Sequence, residues 1–233
     1  MPALRARGSS VLVPALVALA GLASTAAAQS GPVFVDAKSN IFGYGLSTPA
    51  PGSGGGGLLA PTIALTPGTG RTATFFATGQ AGWAGVPLNG PDGGGFAAST
   101  NIPALGPVSA FNAPLSGHLV GLFIEAGDIS GLSAPGGLSY PDLASFDLAS
   151  YAPGLRQVFF IGDGQTTGSA TQTFAVPDGA AVLVLGIADA AGFNANAGFY
   201  DDNVGGYDVR YDVVPAAAPA ALLGLAALRR RRR

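Results

Sequence analysis

The sequence predicts an all-β fold, an antiparallel β-sandwich or jelly roll. Three observations carry that reading. Apolar residues make up 48% of the chain, and in its body they fall into runs of strand length rather than one continuous stretch. The runs are rich in Val, Phe, Thr and Ile, and most are bounded by Gly, Pro, Asn or Asp. No window of the body keeps an i, i+3, i+4, i+7 apolar spacing without a Gly or Pro break, so long helices are not expected there. Short strands separated by turn signals make a sandwich.

The first 28 residues stand apart. Arg5 and Arg7 precede an apolar stretch over 11–23, and Ala26, Ala27 and Ala28 form a small-residue site before Gln29. That order is a signal peptide. The domain is expected over 29–214, with short hydrophobic helices at both chain ends outside it. An exported chain meets an oxidising compartment, yet cysteine is absent, so disulfides contribute nothing. A core or a bound ion must supply stability.

Within the domain, 48–57 (TPAPGSGGGG) reads as a flexible loop. Strands are expected at 62–65, 72–78 (TATFFAT), 118–125 (HLVGLFIE), 157–161 (QVFFI), 171–176 (TQTFAV) and 180–188 (AAVLVLGIA). The stretch 206–214 alternates best. Tyr207, Val209, Tyr211 and Val213 share one face, and Asp208, Arg210 and Asp212 share the other, the pattern of a half-buried strand. Residues 143–149 are expected to form a short helix.

Charge is distributed unevenly. The whole chain carries −2, but five of its eleven basic residues close the tail and two lie in the signal. The body keeps Lys38, Arg71, Arg156 and Arg210 against all thirteen acids, a net charge of −9. Four scattered cations make no phosphate-binding stripe, so nucleic acid is not an expected partner. Cations suit the body better.

Catalytic chemistry is poorly provided for, and no enzyme is expected. The single histidine, His118, sits inside an apolar strand pattern, where a satisfied or half-exposed strand residue is the plain reading. No nucleophile elbow is present, and zinc would need His or Cys clusters. Glu125 is the only glutamate for a glycosidase carboxylate pair, and it ends a strand.

Hard-cation binding has more support, since calcium takes carboxylate, amide and carbonyl oxygens from loops. Asp189 follows the strand 180–188, and Asp202 and Asn203 precede the strand 206–214. If those strands pair as a hairpin, the loop ends meet and the three side chains reach one ion. Turn-forming, solvated acids are the competing reading. Tyr200 and Phe199, on the same loop, are candidates to offer an aromatic face to a sugar ring. Asp92 lies in the turn NGPDGG, a strong turn signal and a further candidate ligand contact. Asp163, in IGDG, reads as a hairpin former.

Pro215 and Pro219 open the tail. The apolar run is 13 residues over 216–228, with Pro219 inside it and 220–228 after it, then Arg229, Arg230, Arg231, Arg232 and Arg233. A Pro-containing motif, an apolar run and a basic stop resemble the PEP-CTERM sorting signals of Gram-negative bacteria. The resemblance implies processing by an exosortase-type enzyme, transient membrane insertion and display on the cell surface or in the extracellular matrix. Alanines stand where that motif carries Glu. The run makes roughly 20 Å of helix against about 30 Å of hydrocarbon, short for a permanent span.

The body is similar to PA-IL-type galactophilic lectins in scattered pieces. They are 39–43 (SNIFG), 74–85 (TFFATGQAGWAG), 89–94 (NGPDGG), 158–164 (VFFIGDG) and 186–207 (GIADAAGFNANAGFYDDNVGGY). The resemblance implies a small sandwich that binds sugar hydroxyls through calcium. It implies that Asp189, Asp202 and Asn203 occupy ligand positions, with the carbonyl of Val86 as a further ligand. The expectation is therefore an exported, surface-sorted β-sandwich with calcium-dependent binding of extracellular polysaccharide. The alternative is a structural matrix protein without a specific ligand.

Overall fold

The structure, a computed structural model, describes residues 27–216 except 45–53, 86–87, 95–96 and 98. Residues 1–26 of the expected signal, most of the 48–57 loop, Val86, Pro219, the tail's apolar run from residue 217 and its five arginines lie outside the described residues. No described helix is long and apolar enough to cross a membrane.

The chain is all-β. In order, its strands are β1 (Gln29–Asp36), β2 (Ser39–Asn40), β3 (Leu58–Leu59), β4 (Thr62–Ala64), β5 (Thr72–Gly82), β6 (Thr100–Ile102), β7 (Phe111–Ala113), β8 (Leu119–Glu125), β9 (Leu138–Ser139), β10 (Ser150–Tyr151), β11 (Val158–Phe160), β12 (Thr173–Ala175), β13 (Ala180–Ile187) and β14 (Val204–Val214). Each long apolar run named from sequence became a strand. The segment expected as a short helix is a 3₁₀ turn, Leu143–Phe146, capped by the Asp142 side chain on the Ser145 N–H.

Three sheets form successive layers. The outer sheet runs β1-β14-β5-β12-β10, the middle sheet β11-β8-β13-β2-β3 with β4 also on β13, and the small third sheet β6-β7-β9. One core lies between the outer and middle sheets. It joins Val35, Phe75, Phe174, Tyr207 and Val209 to Phe123, Phe159, Leu183 and Leu185. A second core lies on the other side of the middle sheet and joins Val120, Leu122, Ile124 and Phe160 to Ile102, Phe111 and Phe146.

That middle position explains the composition of β8 and β13. Successive side chains point to opposite faces. Both faces are covered, so LVGLFIE up to its terminal Glu125 and AAVLVLGI are apolar instead of alternating. β14 belongs to the outer sheet and has only one covered face, which is why it alternates.

The sandwich carries one refinement, and the hairpin expectation needs correction. The long pairings are antiparallel, but β10 with β12, β13 with β2, β2 with β3, and β7 with β9 are short parallel pairs. β13 and β14 do not form a hairpin. β13 pairs with β8, β4 and β2. β14 lies between β1 and β5 with an eleven-pair register to β5. The apolar two-sided strand belongs in the middle and the alternating strand outside, so burial separates them and their loop crosses between layers.

Candidate metal and ligand site

The crossing loop still brings its two ends together. β13 ends at Ile187, which places Asp189 two residues beyond the sheet. Asn203 is the residue before β14. The Asn203 amide donates to Asp189 Oδ2 at 2.8 Å and to the Ala37 carbonyl at 3.0 Å. The Ala190 N–H donates to Asp189 Oδ1 at 2.7 Å. Asp189 and Asn203 are both buried, and Asn203 Oδ1 has no hydrogen-bond partner among the described residues. Asp202 shares a pocket of about 260 Å³ with Asp189, Trp83, Phe193 and Phe199.

Electrostatics follow from that burial. Desolvation pushes the Asp189 carboxyl up to about 7, and the nearby Asp202 charge adds to it. The hydrogen bonds from Asn203 and Ala190 act in the opposite direction and do not win.

Tyr200 supports the site from below. Its hydroxyl donates to the Ile187 carbonyl at 2.9 Å and accepts from the Asp189 N–H at 3.1 Å. The ring is wholly buried, so Tyr200 cannot offer a face to a sugar, a correction to the expectation. It is large and apolar and takes the core position that the loop passes over. Phe199, its neighbour, is only partly buried and lines the pocket.

The backbone here is unusual. Ala84, Phe193 and Phe199 all have positive φ, at 47°, 59° and 66°, and all line this pocket. Such conformations cost energy and persist where surrounding structure enforces them. Part of the enforcement comes from the end of the glycine-rich segment. Tyr200 N–H donates to the Gly55 carbonyl, and Gly57 N–H donates to Asp201 Oδ1. A Cβ on Gly55 would sit 2.1 Å from the Asp201 carboxyl, and one on Gly57 2.4 Å from the Lys38 carbonyl. These glycines are therefore held against the loop, and only the earlier part of 48–57 remains outside the described residues.

The donor set suits a hard cation in kind. Two carboxylates and an orphaned buried amide oxygen are oxygen ligands of the sort calcium takes. Together they account for three of the roughly six to eight oxygens required. Among the described residues no group of three or more His, Cys, Asp or Glu side chains could hold a metal. Main-chain carbonyls and water would have to complete the shell.

Asp92 lies elsewhere. Its Oδ1 accepts from the Asp163 N–H at 2.8 Å, and the two residues line a separate pocket of about 360 Å³ with Phe146 and Phe160. This bond ties the PDG turn to the GDG turn, far apart in sequence. Burial pushes the Asp92 carboxyl up, and the Asp163 charge adds to it.

His118 sits just before β8, ringed by Phe111, Phe146 and Phe160 at centroid distances of 5.2–5.7 Å. It is fully buried rather than half-exposed, and desolvation lowers its pKa to about 4. Its Nε2 has no partner among the described residues. Glu125 pairs with Arg156 at 3.0 Å. Sequence reasoning did not find the role of Trp83 or Phe193 as pocket walls, because only the fold sets them edge to face at 5.6 Å beside Asp189. No family model, no curated protein and no solved structure matches this chain.

Proposed function

We propose that this protein is an exported, surface-sorted β-sandwich that binds extracellular carbohydrate through a calcium ion at the 189–203 loop. The observation that carries the reading is the buried Asp189 carboxylate, with Asp202 beside it and the Asn203 carbonyl oxygen left without a partner. Asp189, Asp202 and Asn203 would hold the ion, and the bound ion would supply coordination to vicinal sugar hydroxyls. Phe199 gives the pocket an apolar wall for the ring. Tyr200 fixes the main chain at Asp189, and Ala190 and Asn203 orient its carboxylate. Sorting rests on the tail's order of Pro215, Pro219, apolar run and five arginines. The protein is not proposed as an enzyme.

The second reading is a structural matrix protein. Both Asp189 oxygens already accept hydrogen bonds, which suits a carboxylate used only to tie the loop. A glycan array probed with and without calcium separates the two. Glycan signals that vanish on chelation support the lectin reading, and a blank array in calcium supports the structural one. Mass spectrometry of the protein from its native host tests sorting. A mature form ending near Pro215 is expected, and a soluble species retaining Arg233 contradicts it.

A further inference from the structure

The outer face of the outer sheet is built from two consecutive cross-strand rows. Phe34, Asp208 and Thr78 form one, and Pro32, Arg210 and Phe76 form the next. All six side chains line one open groove on the solvent side. Phe34 and Phe76 are 56% and 49% exposed and put two aromatic side chains on one face. Along β14 the charges alternate as Asp208, Arg210, Asp212, and Arg210 is one of four cations in an acidic body.

We propose that this face binds a second copy of the chain in a two-fold dimer, stacked sheet against sheet. The two rows are complementary to each other. A two-fold axis crossing the strands at the level of Val209 lays the first row of one copy on the second row of its partner. Asp208 then faces Arg210 and Arg210 faces Asp208. Phe34 meets the smaller Pro32, and Phe76 meets the smaller Thr78. Every large side chain meets a small one and every charge its opposite, which is what an isologous interface requires. A face three strands wide and about six residues long measures roughly 15 by 20 Å. At about 300 Å² per copy that is below the size of stable specific interfaces, so association is expected to be weak and concentration-dependent.

The test is sedimentation velocity over a concentration series on three forms of the full chain: wild type, R210D and the exchange D208R/R210D. The tail is common to all three, so differences report the face. Circular dichroism confirms that the exposed substitutions leave the fold unchanged. R210D makes the strand acidic throughout and is expected to weaken dimerisation by about tenfold or more, since like charges then face each other. The exchange restores one Arg–Asp pair on each side of the axis and is expected to restore the dimer. A wild type that sediments as a monomer throughout overturns the proposal. So does R210D dimerising like wild type, or an exchange variant that stays monomeric. Binding of a polysaccharide to this face of a monomeric wild type would assign it another occupant and equally overturn it.

Discussion

The amide of Asn203 reaches Oδ2 of Asp189 at 2.8 Å across fourteen residues of chain, from the start of one strand to the end of another in a different sheet. This bond closes the crossing loop and holds a carboxylate in a buried position. The chemistry proposed here depends on it.

The first expectation concerns pH. The Asp189 carboxyl is raised from 3.8 to about 7. For a carboxyl raised by folding, the folded state holds the proton more tightly. Its contribution is fully present below the unfolded pKa near 4 and is lost as pH rises through 7. At 1.36 kcal/mol per unit this amounts to roughly 4 kcal/mol at most. Calcium-free wild type should therefore lose stability relative to D189N between pH 4 and 7, as read by denaturant melts. Calcium should remove that loss. A difference flat with pH would show that Asp189 is not desolvated as described.

Removing the Asn203 amide leaves Asp189 Oδ2 and the Ala37 carbonyl each without this donor. N203A should cost about 2–4 kcal/mol, because buried groups deprived of a partner carry their desolvation penalty. Urea midpoints measure it. N203D adds a third carboxylate beside Asp189 and Asp202 and should melt markedly earlier, with calcium restoring much of the loss.

Y200F isolates the hydroxyl that bridges Ile187 and Asp189. A loss of about 1–3 kcal/mol is expected, since a buried N–H and a carbonyl lose their partner while the ring remains. Calorimetric melts at fixed pH would show it. An unchanged Tm would mean that the loop does not depend on this bridge.

His118 acts in the opposite pH sense to Asp189. Its pKa falls from 6.5 to about 4, so the unfolded chain binds the proton more readily. Stability should drop as pH falls from 6.5 towards 4, by roughly 3 kcal/mol in all. H118F should remove that acid dependence. Its larger ring has to fit among Phe111, Phe146 and Phe160, so the slope with pH, not the absolute Tm, is the readout.

The strands β5, β8, β13 and β14 were legible because each is long enough to display a period or an apolar run. β1 was not, because Gly31 and Pro32 interrupt QSGPVFVD. Its place at the sheet edge is where a residue without an N–H is tolerated. The two-residue strands β2, β3, β9 and β10 are too short to carry any period. The site was legible in its residue types and wrong in its route. Asp189, Asp202 and Asn203 do gather, but through a loop between layers, and no local pattern distinguishes that from a hairpin. Trp83 and Phe193 became pocket walls only through tertiary contact. Gly117 beneath Trp83 was equally hidden: a Cβ there would lie 2.0 Å from the indole.

Calcium titration by calorimetry at pH 6, repeated in two buffers of different ionisation heat, tests the central claim most directly. Asp189 is largely protonated at that pH and must release its proton to hold the ion. One calcium per chain is expected, with a heat that differs between the buffers and disappears in D189N. No heat of binding in wild type, or the same heat in D189N, would contradict the account.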